Sequence, residues 1–192
     1  EKNFVTSNTK TAVNLTGSGN VFATVAKNRL RDSPVGVLAC DSARSLVISN
    51  DISRCQIGVA GTTRSVMNCV SNVIYENRIG VLVTDPGTKG YFVANNIHRN
   101  FDGGVVVRNE AAPLISKNTI SFHFEEDDDA SVRSATNTTS GKIRASAAVP
   151  GILLKEGCGG KLMNNTIVNN SVGVEAHRTK AQFYSNIFAK NR

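Results

Sequence analysis

The sequence has no tryptophan, and all of its aromatic residues together make up only 6% of the chain. Surfaces that bind nucleic acids rely on aromatic platforms and concentrated basic residues, so this scarcity argues against a nucleic-acid partner. No run approaches the ~18 consecutive apolar residues of a membrane-spanning helix. No segment has the apolar spacing of a ~10-residue amphipathic helix. The order of the chain is therefore expected to come from short strands and turns.

The four cysteines form neither a disulfide framework nor a zinc motif. Cys69 belongs to a core position, Cys55 to a ladder position, Cys40 to a strand end and Cys158 to a turn, so the sequence separates them. Free thiols favour a reducing compartment. Four Asn-x-Ser/Thr sequons favour the same compartment, because attached sugars would obstruct the repeats. The sequence predicts an intracellular, cytoplasmic protein with no metal and no cofactor.

One short phrase occurs seven times: an apolar residue, two variable positions, an Asn, one variable position and a second apolar residue. Successive Asn residues are 22, 22, 23, 23, 47 and 21 positions apart. A fixed period of this length is typical of stacked repeats, each too small to bury its own apolar face. The copies are Val25…Asn28…Leu30, Val47…Asn50…Ile52, Cys69…Asn72…Ile74, Phe92…Asn95…Ile97, Ile115…Asn118…Ile120, Leu162…Asn165…Ile167 and Phe183…Asn186…Phe188.

A second phrase follows in phase, because Gly-Val comes eight residues after several of these Asn residues, as at Gly36-Val37 and Gly80-Val81. The segments around it alternate apolar and variable positions, are rich in β-branched residues and lie between turn-forming residues, which is typical of strands. Parallel crossovers are right-handed in nearly all proteins. The pattern therefore predicts an all-β fold, a right-handed parallel β-helix (solenoid) of about 7–8 coils of 22–23 residues.

The repeated Asn predicts an asparagine ladder, since an amide at the same point of every coil can donate to one neighbouring coil and accept from another. A second, partial column lies five residues later. We interpret both columns as structural and assign no catalytic residue to them. The second column contains Asn77, Asn100, Asn170 and Asn191, with Ser33, Cys55 and His123 in other coils.

The chain is predicted to be one β-helix domain over residues 1–192, expected to be a fragment of a longer protein. The 47-residue interval holds an extra segment at 124–148, which begins with an acidic run and continues with many Ser, Thr and Ala residues. That composition predicts an inserted flexible loop.

The repeat in Asn72-Val-Ile-Tyr-Glu-Asn77-Arg-Ile-Gly-Val resembles right-handed β-helix repeats of the CASH (carbohydrate-binding and sugar-hydrolase) type. The resemblance covers residues 12 to 192. Similar repeats form the substrate-recruiting β-helix of some F-box proteins and cytoplasmic adaptors, and they also occur in polysaccharide lyases and hydrolases. The resemblance therefore implies the fold and leaves function open, because the repeated residues are those that stack.

We expect a non-enzymatic protein-interaction or scaffold module. Alternation along each strand directs one column of the Gly-Val strands outward, and an exposed apolar column on a rigid solenoid is a candidate partner surface. A second outward column holds Ala26, Ile48, Val70, Val93, Met163 and Tyr184. The candidate partner-binding residues on the Gly-Val strands are Leu38, Ala60, Leu82, Val106 and Leu153.

The alternative is a β-helix that binds or processes polysaccharide. Its candidate carboxylate site is a column at the far end of the Gly-Val strands, where Thr63 and Asn109 separate the acids. Acids in alternate coils would be about 9–10 Å apart, near the upper limit for an inverting glycosidase pair. The site would consist of Asp41, Asp85, Glu156 and Arg178.

A formal net charge of +7 predicts that a protein partner would be acidic, and it leaves carbohydrate open. One column alternates in sign, however: Asp32, Arg54, Glu76 and Arg99. We expect these residues to pair between coils, which would make part of the charge structural.

Overall fold

A computed structural model of the protein describes residues 2–17, 22–123 and 148–192. Within these residues all regular structure is β, with 22 short strands in three parallel sheets. No helix in these ranges is long and apolar enough to cross a membrane. Each coil contributes one strand to each sheet, so the predicted all-β parallel solenoid is confirmed, with about seven coils. Its right-handedness remains a prediction.

Sheet 1 contains the short strands that begin just after the repeated Asn. Its strands are β1 (Phe4–Thr6), β4 (Arg29–Arg31), β7 (Asp51–Ser53), β10 (Val73–Tyr75), β13 (Asn96–His98), β16 (Thr119–Ser121), β19 (Thr166–Val168) and β22 (Ile187–Ala189).

Sheet 2 contains the Gly-Val strands. Its strands are β2 (Thr11–Thr16), β5 (Val35–Cys40), β8 (Ile57–Gly61), β11 (Ile79–Val83), β14 (Gly103–Val107), β17 (Pro150–Leu154) and β20 (Val172–Ala176).

Sheet 3 contains the strands that lead into the repeated Asn. Its strands are β3 (Phe22–Ala26), β6 (Arg44–Ile48), β9 (Val66–Val70), β12 (Lys89–Val93), β15 (Leu114–Ser116), β18 (Lys161–Met163) and β21 (Gln182–Tyr184).

The core is a set of stacked columns of similar side chains. Ile74 pairs in register with Ile52 on one side and Ile97 on the other, and all three are fully buried. A one-residue slip would move such a column to the surface, so the apolar repeat fixes the register. In the final coil Phe183 and Phe188 continue the inward columns but are exposed, because no described coil covers them.

The asparagine ladder is internal, as predicted, and its hydrogen bonds connect three consecutive coils. Asn72 Nδ2 donates to the Val47 carbonyl of the preceding coil at 2.8 Å and to Asn95 Oδ1 of the following coil at 3.0 Å. Asn72 Oδ1 accepts from the backbone N–H of Asn50 at 2.9 Å and from its side-chain amide at 3.0 Å. These bonds satisfy backbone groups in the turn between sheets 3 and 1, where unpaired buried polar groups would be costly.

The second column explains the repeated glycine. A Cβ added to Gly58 would lie 2.6 Å from the Gly80 carbonyl oxygen and 3.0 Å from Asn77 Nδ2. A Cβ on Gly104 would lie 2.5 Å from His123 Nε2. Glycine is therefore required because the strand of one coil packs directly beneath the ladder side chain of the next coil.

The predicted insertion at 124–148 lies, except for residue 148, outside the described residues. The stack nevertheless continues across it, since Val105 of β14 pairs with Ile152 of β17. Asn118 Nδ2 likewise donates to Asn165 Oδ1 at 3.0 Å. The 47-residue interval therefore joins two adjacent coils.

Candidate functional site

The candidate partner-binding column on sheet 2 is in register from β5 to β17, as Leu38, Ala60, Leu82, Val106 and Leu153 pair successively. The flanking residues Val81 and Val83 face the core and are fully buried, so Leu82 points outward. The exposed fraction is nevertheless only 2% for Ala60, 7% for Leu82 and 4% for Val106. The half-buried members are Leu38 and Leu153. Most of the apolar area that this column offers to a partner is therefore at its two ends.

The candidate carboxylate column lies in the turn that follows sheet 2. Asp41, Asp85 and Glu156 have left-handed backbone conformations with φ of 53°, 80° and 57°. The Asp85 carboxylate accepts from the Thr63 N–H at 3.1 Å and from Thr84 Oγ1 at 3.1 Å. Asp side chains commonly support such turns by binding nearby backbone and hydroxyl groups.

The three acids of this column lie in alternate coils. The Ser42 N–H donates to the Thr63 carbonyl, and the Gly157 N–H donates to the carbonyl of Arg178, so the turns stack through their backbones. Thr63 lies in the coil between Asp41 and Asp85. Arg178 is exposed at the end of the column. The hydrogen bonds of this column are those of a stacked turn.

Sheet 3 presents outward apolar side chains that are more exposed than those at the centre of the sheet 2 column. The second outward column that the sequence predicts is in register along this sheet, from Ala26 to Tyr184, with Ser116 between Val93 and Met163. Ile48, Val70, Val93 and Met163 are half-buried and Tyr184 is 45% exposed.

A neighbouring outward column of sheet 3 widens this surface. Tyr91, which is 54% exposed, pairs with Asn68 and Leu114 of the adjacent strands. Leu46 and Leu114 are half-buried in the same column. Sequence reasoning missed this column, although the alternation of Tyr91 and Val93 around buried Phe92 was a visible signal.

Sheet 3 and the residue that follows each of its strands contain five basic residues and no acidic residue. All five are exposed, and none takes part in an ion pair among the described residues. The five are Lys27, Arg44, Lys89, Lys117 and Lys161.

On the outward side of sheet 1, in contrast, basic residues have partners. Arg31 contacts Asp51 at 3.4 Å and donates to the Tyr75 hydroxyl at 2.8 Å. Tyr75 stacks on His98 of the next coil, with ring centroids 5.2 Å apart. Burial lowers the pKa of His98. These contacts connect coils in the same way that the ladder does inside.

The predicted charge column beside sheet 1 forms one ion pair among the described residues. The Arg54 guanidinium holds both carboxylate oxygens of Asp32, with Nε and Nη2 each at 2.7 Å. This bond lowers the pKa of the Asp32 carboxyl. Glu76 forms no ion pair with Arg54, whose guanidinium already binds Asp32 through two nitrogens.

A groove of about 500 Å³ lies beside this ion pair. It is lined by Arg54, Cys55, Gln56, Glu76, Arg78 and Phe101. Arg78 contacts Asp102 at 2.8 Å, so both arginines at the groove already have carboxylate partners.

The sulfur and imidazole side chains are dispersed. Met67 and Cys69 share the inward face of β9 and are fully buried, and burial raises the pKa of the Cys69 thiol to about 12. Burial also raises the pKa of the Cys40 and Cys55 thiols. Among the residues that the structure describes, no three His, Cys, Asp or Glu side chains converge as metal ligands do.

His123 replaces Asn in the second column. Its Nδ1 accepts from the Asn100 N–H at 3.0 Å, while its Nε2 is buried without a hydrogen-bond partner. Burial lowers the pKa of His123 to about 4. The imidazole is thus a neutral structural group, held between the Asn100 backbone and Gly104.

Comparison with family models gives one finding, which covers almost the whole chain. Residues 2–192 match the family model described as "NosD: Periplasmic copper-binding protein (NosD)". The chain therefore belongs to the NosD family. The family match supports a parallel β-helix repeat protein and does not confirm a CASH-specific assignment. Searches of curated proteins and of solved structures found no match.

The expectation of a cytoplasmic location was wrong, because the family to which the chain belongs is described as periplasmic. The thiol argument failed for a physical reason. Cys55, Cys69 and Cys158 are buried in separate places, so they can remain free thiols in an oxidising compartment. Their reduced state therefore does not indicate where the protein is located.

Proposed function

We propose that this member of the NosD family is a non-enzymatic interaction scaffold of the periplasm, a rigid β-helix that presents outward faces to a protein partner. One observation carries the proposal: the polar groups that recur from coil to coil bind the next coil, whereas the apolar columns on sheets 2 and 3 point outward. Side chains that are already used between coils are not free for chemistry on a substrate. Rigid outward columns are suited to binding a protein partner.

The family description also names copper, and the two sulfur donors that share one strand face in the described part of the chain, Met67 and Cys69, do not fit that ion. Cu(I) prefers thiolate and thioether ligands, and a coordinating thiol must lose its proton. Cys69 and Met67 are closed off in the core, and the raised pKa of Cys69 opposes deprotonation. The scaffold proposal therefore contains no copper step.

Affinity capture from a periplasmic extract, with identification of the bound protein, tests the proposal. Glu would be introduced at one outward apolar position on each candidate face, Leu38→Glu on sheet 2 and Val93→Glu on sheet 3. Both positions are half-buried, so the variants should fold, which circular dichroism would verify. At least one of them should reduce capture at least tenfold, because it places an unpaired charge in an apolar interface.

The matched control is the double variant Asp85→Asn and Glu156→Gln, which removes two acids of the alternative carboxylate site. It should capture the partner as the parent chain does. Cleavage of polygalacturonate by the parent chain, abolished in this double variant, would instead establish the polysaccharide-processing alternative.

A further inference from the structure

We infer that sheet 3 is the partner-binding face and that its partner is an acidic protein segment that also carries apolar side chains. The inference rests on the proposed scaffold function and names the face and the chemistry of the partner.

Strand β12 contributes exposed side chains to this face. Lys89, Tyr91 and Val93 all point outward on it, because they alternate with Gly90 and Phe92, which are buried. One strand thus presents a cation, an aromatic ring and a β-branched side chain in a row. Tyr is enriched at the centres of protein interfaces because it contributes a large contact area with few rotatable bonds.

Gly90 fixes the orientation of this row. Its φ is 145°, and an added Cβ would lie 1.8 Å from the Met67 carbonyl oxygen. Only glycine therefore lets β12 lie against β9 at this point. The backbone on either side of Gly90 is thereby set before any partner binds, which lowers the ordering cost of binding.

The charged residues of this face are all basic. Lys89 borders the apolar columns at the start of β12, and Lys27 and Lys117 border them at the strand ends. Lys161 lies within the Tyr91 column, in register with Leu114. The acids nearest in sequence to this face are Asp41, in the turn before β6, and Asp51, which follows β6 and pairs with Arg29 and Arg31. In the turn before β12, the Asp85 carboxylate binds Thr63 and Thr84. A surface with cations on both borders is complementary to an acidic partner, and its apolar centre selects a partner with apolar groups.

Binding of synthetic polymers tests this chemistry without a known partner. The probes are a random copolymer of glutamate and tyrosine, polyglutamate of equal length, polygalacturonate, and vesicles of phosphatidylglycerol and phosphatidylcholine. We expect the copolymer to bind at least tenfold more tightly than polyglutamate or polygalacturonate, and its affinity to fall with added salt.

The variants locate the site. The double variant Lys89→Glu and Lys161→Glu should weaken copolymer binding at least tenfold, and Tyr91→Ser should reduce it toward the affinity for polyglutamate. The matched control, Lys10→Glu with Lys190→Glu, changes the net charge equally at exposed lysines outside sheet 3 and should change affinity less than twofold.

Equal binding of copolymer and polyglutamate would overturn the inference, because the apolar columns would then contribute nothing. Preference for the anionic vesicles would overturn it in favour of a membrane surface. Failure of the inference can be distinguished from failure of the scaffold function. If a captured protein is lost with Leu38→Glu and retained with the sheet 3 variants, the scaffold function stands and sheet 3 is the wrong face.

Discussion

In the interior of the solenoid and on its outer surface, side chains bind partners in neighbouring coils, but these contacts stabilise the fold to different extents. Inside, Asn72 bonds to both neighbouring coils and is 1% exposed. Outside, Arg54 and Asp32 bond just as directly but in water, with side chains 52% and 36% exposed. Repetition sets the register in both places, whereas burial decides how much each contact stabilises the fold.

The largest loss of stability is expected from a substitution at a core glycine that has no room for an added side-chain atom. Gly58→Ala should lower the free energy of unfolding by about 3 kcal/mol or prevent folding, because the new methyl group would lie 2.6 Å from the Gly80 carbonyl oxygen. Gly61→Ala on the same strand is the control, since its nearest neighbour would be Ser65 Oγ at 3.4 Å. Chemical denaturation measures both, and equal effects would mean that the glycine column is not set by packing.

The ladder itself comes next. Asn72→Ala should cost about 2–3 kcal/mol, because the buried Asn50 backbone N–H and the Val47 carbonyl lose their bonds to Asn72. The Asn50 side-chain amide also loses one acceptor and keeps only backbone carbonyls. Asn95→Ala should behave alike, since Asn95 makes the same bonds one coil later. A neutral result in urea denaturation for both variants would contradict the ladder as the source of register.

His123 makes the interior sensitive to pH. Its pKa is about 4 in the fold and 6.5 in the unfolded chain, so between these values the unfolded chain binds the extra proton. Stability should therefore be highest above pH 6.5 and fall on acidification, by on the order of 2 kcal/mol between pH 7 and pH 5.

The free energy of unfolding of the variant His123→Asn should change less between pH 7 and pH 5 than that of the parent chain, because an amide does not titrate. It should also stabilise the fold slightly, since an imidazole nitrogen without a partner is replaced by the side chain that the column usually contains. His98→Asn is the comparison for the neighbouring imidazole, which lies on the surface of sheet 1. An unchanged slope in His123→Asn would show that His123 is not the titrating group.

The sequence predicted the interior well, because every core and ladder position is marked by its neighbours in the phrase. It missed the first member of the ladder. Asn3 donates to Asn28 Oδ1 through its N–H at 3.1 Å, but the interval of 25 residues departs from the usual period. The greater length of the first coil is enough to hide the repeat.

The outer surface was harder to predict. Alternation shows that Leu82 and Val93 both point outward, yet Leu82 is almost fully buried and Val93 is not. Exposure depends on neighbouring coils and turns, which lie ~20 residues or more away in sequence. The absence of acids on sheet 3 likewise becomes visible only when the strands are placed in register.

The smallest loss of stability is expected from a substitution in an ion pair on the outer surface. Asp32→Asn removes the carboxylate that Arg54 grips with two 2.7 Å bonds and should lower the thermal midpoint by no more than about 2 °C, since exposed ion pairs are weakened by water and salt. The Arg54 bond lowers the pKa of Asp32 in the fold, so its contribution is present above the unfolded pKa and is lost as pH falls through the folded value. The difference between parent and variant should therefore be measurable at pH 7 and low salt, and vanish in strong acid or in 1 M NaCl. Calorimetry at both salt concentrations checks this. A loss as large as that of Asn72→Ala would mean that surface pairing, and not burial, holds neighbouring coils together.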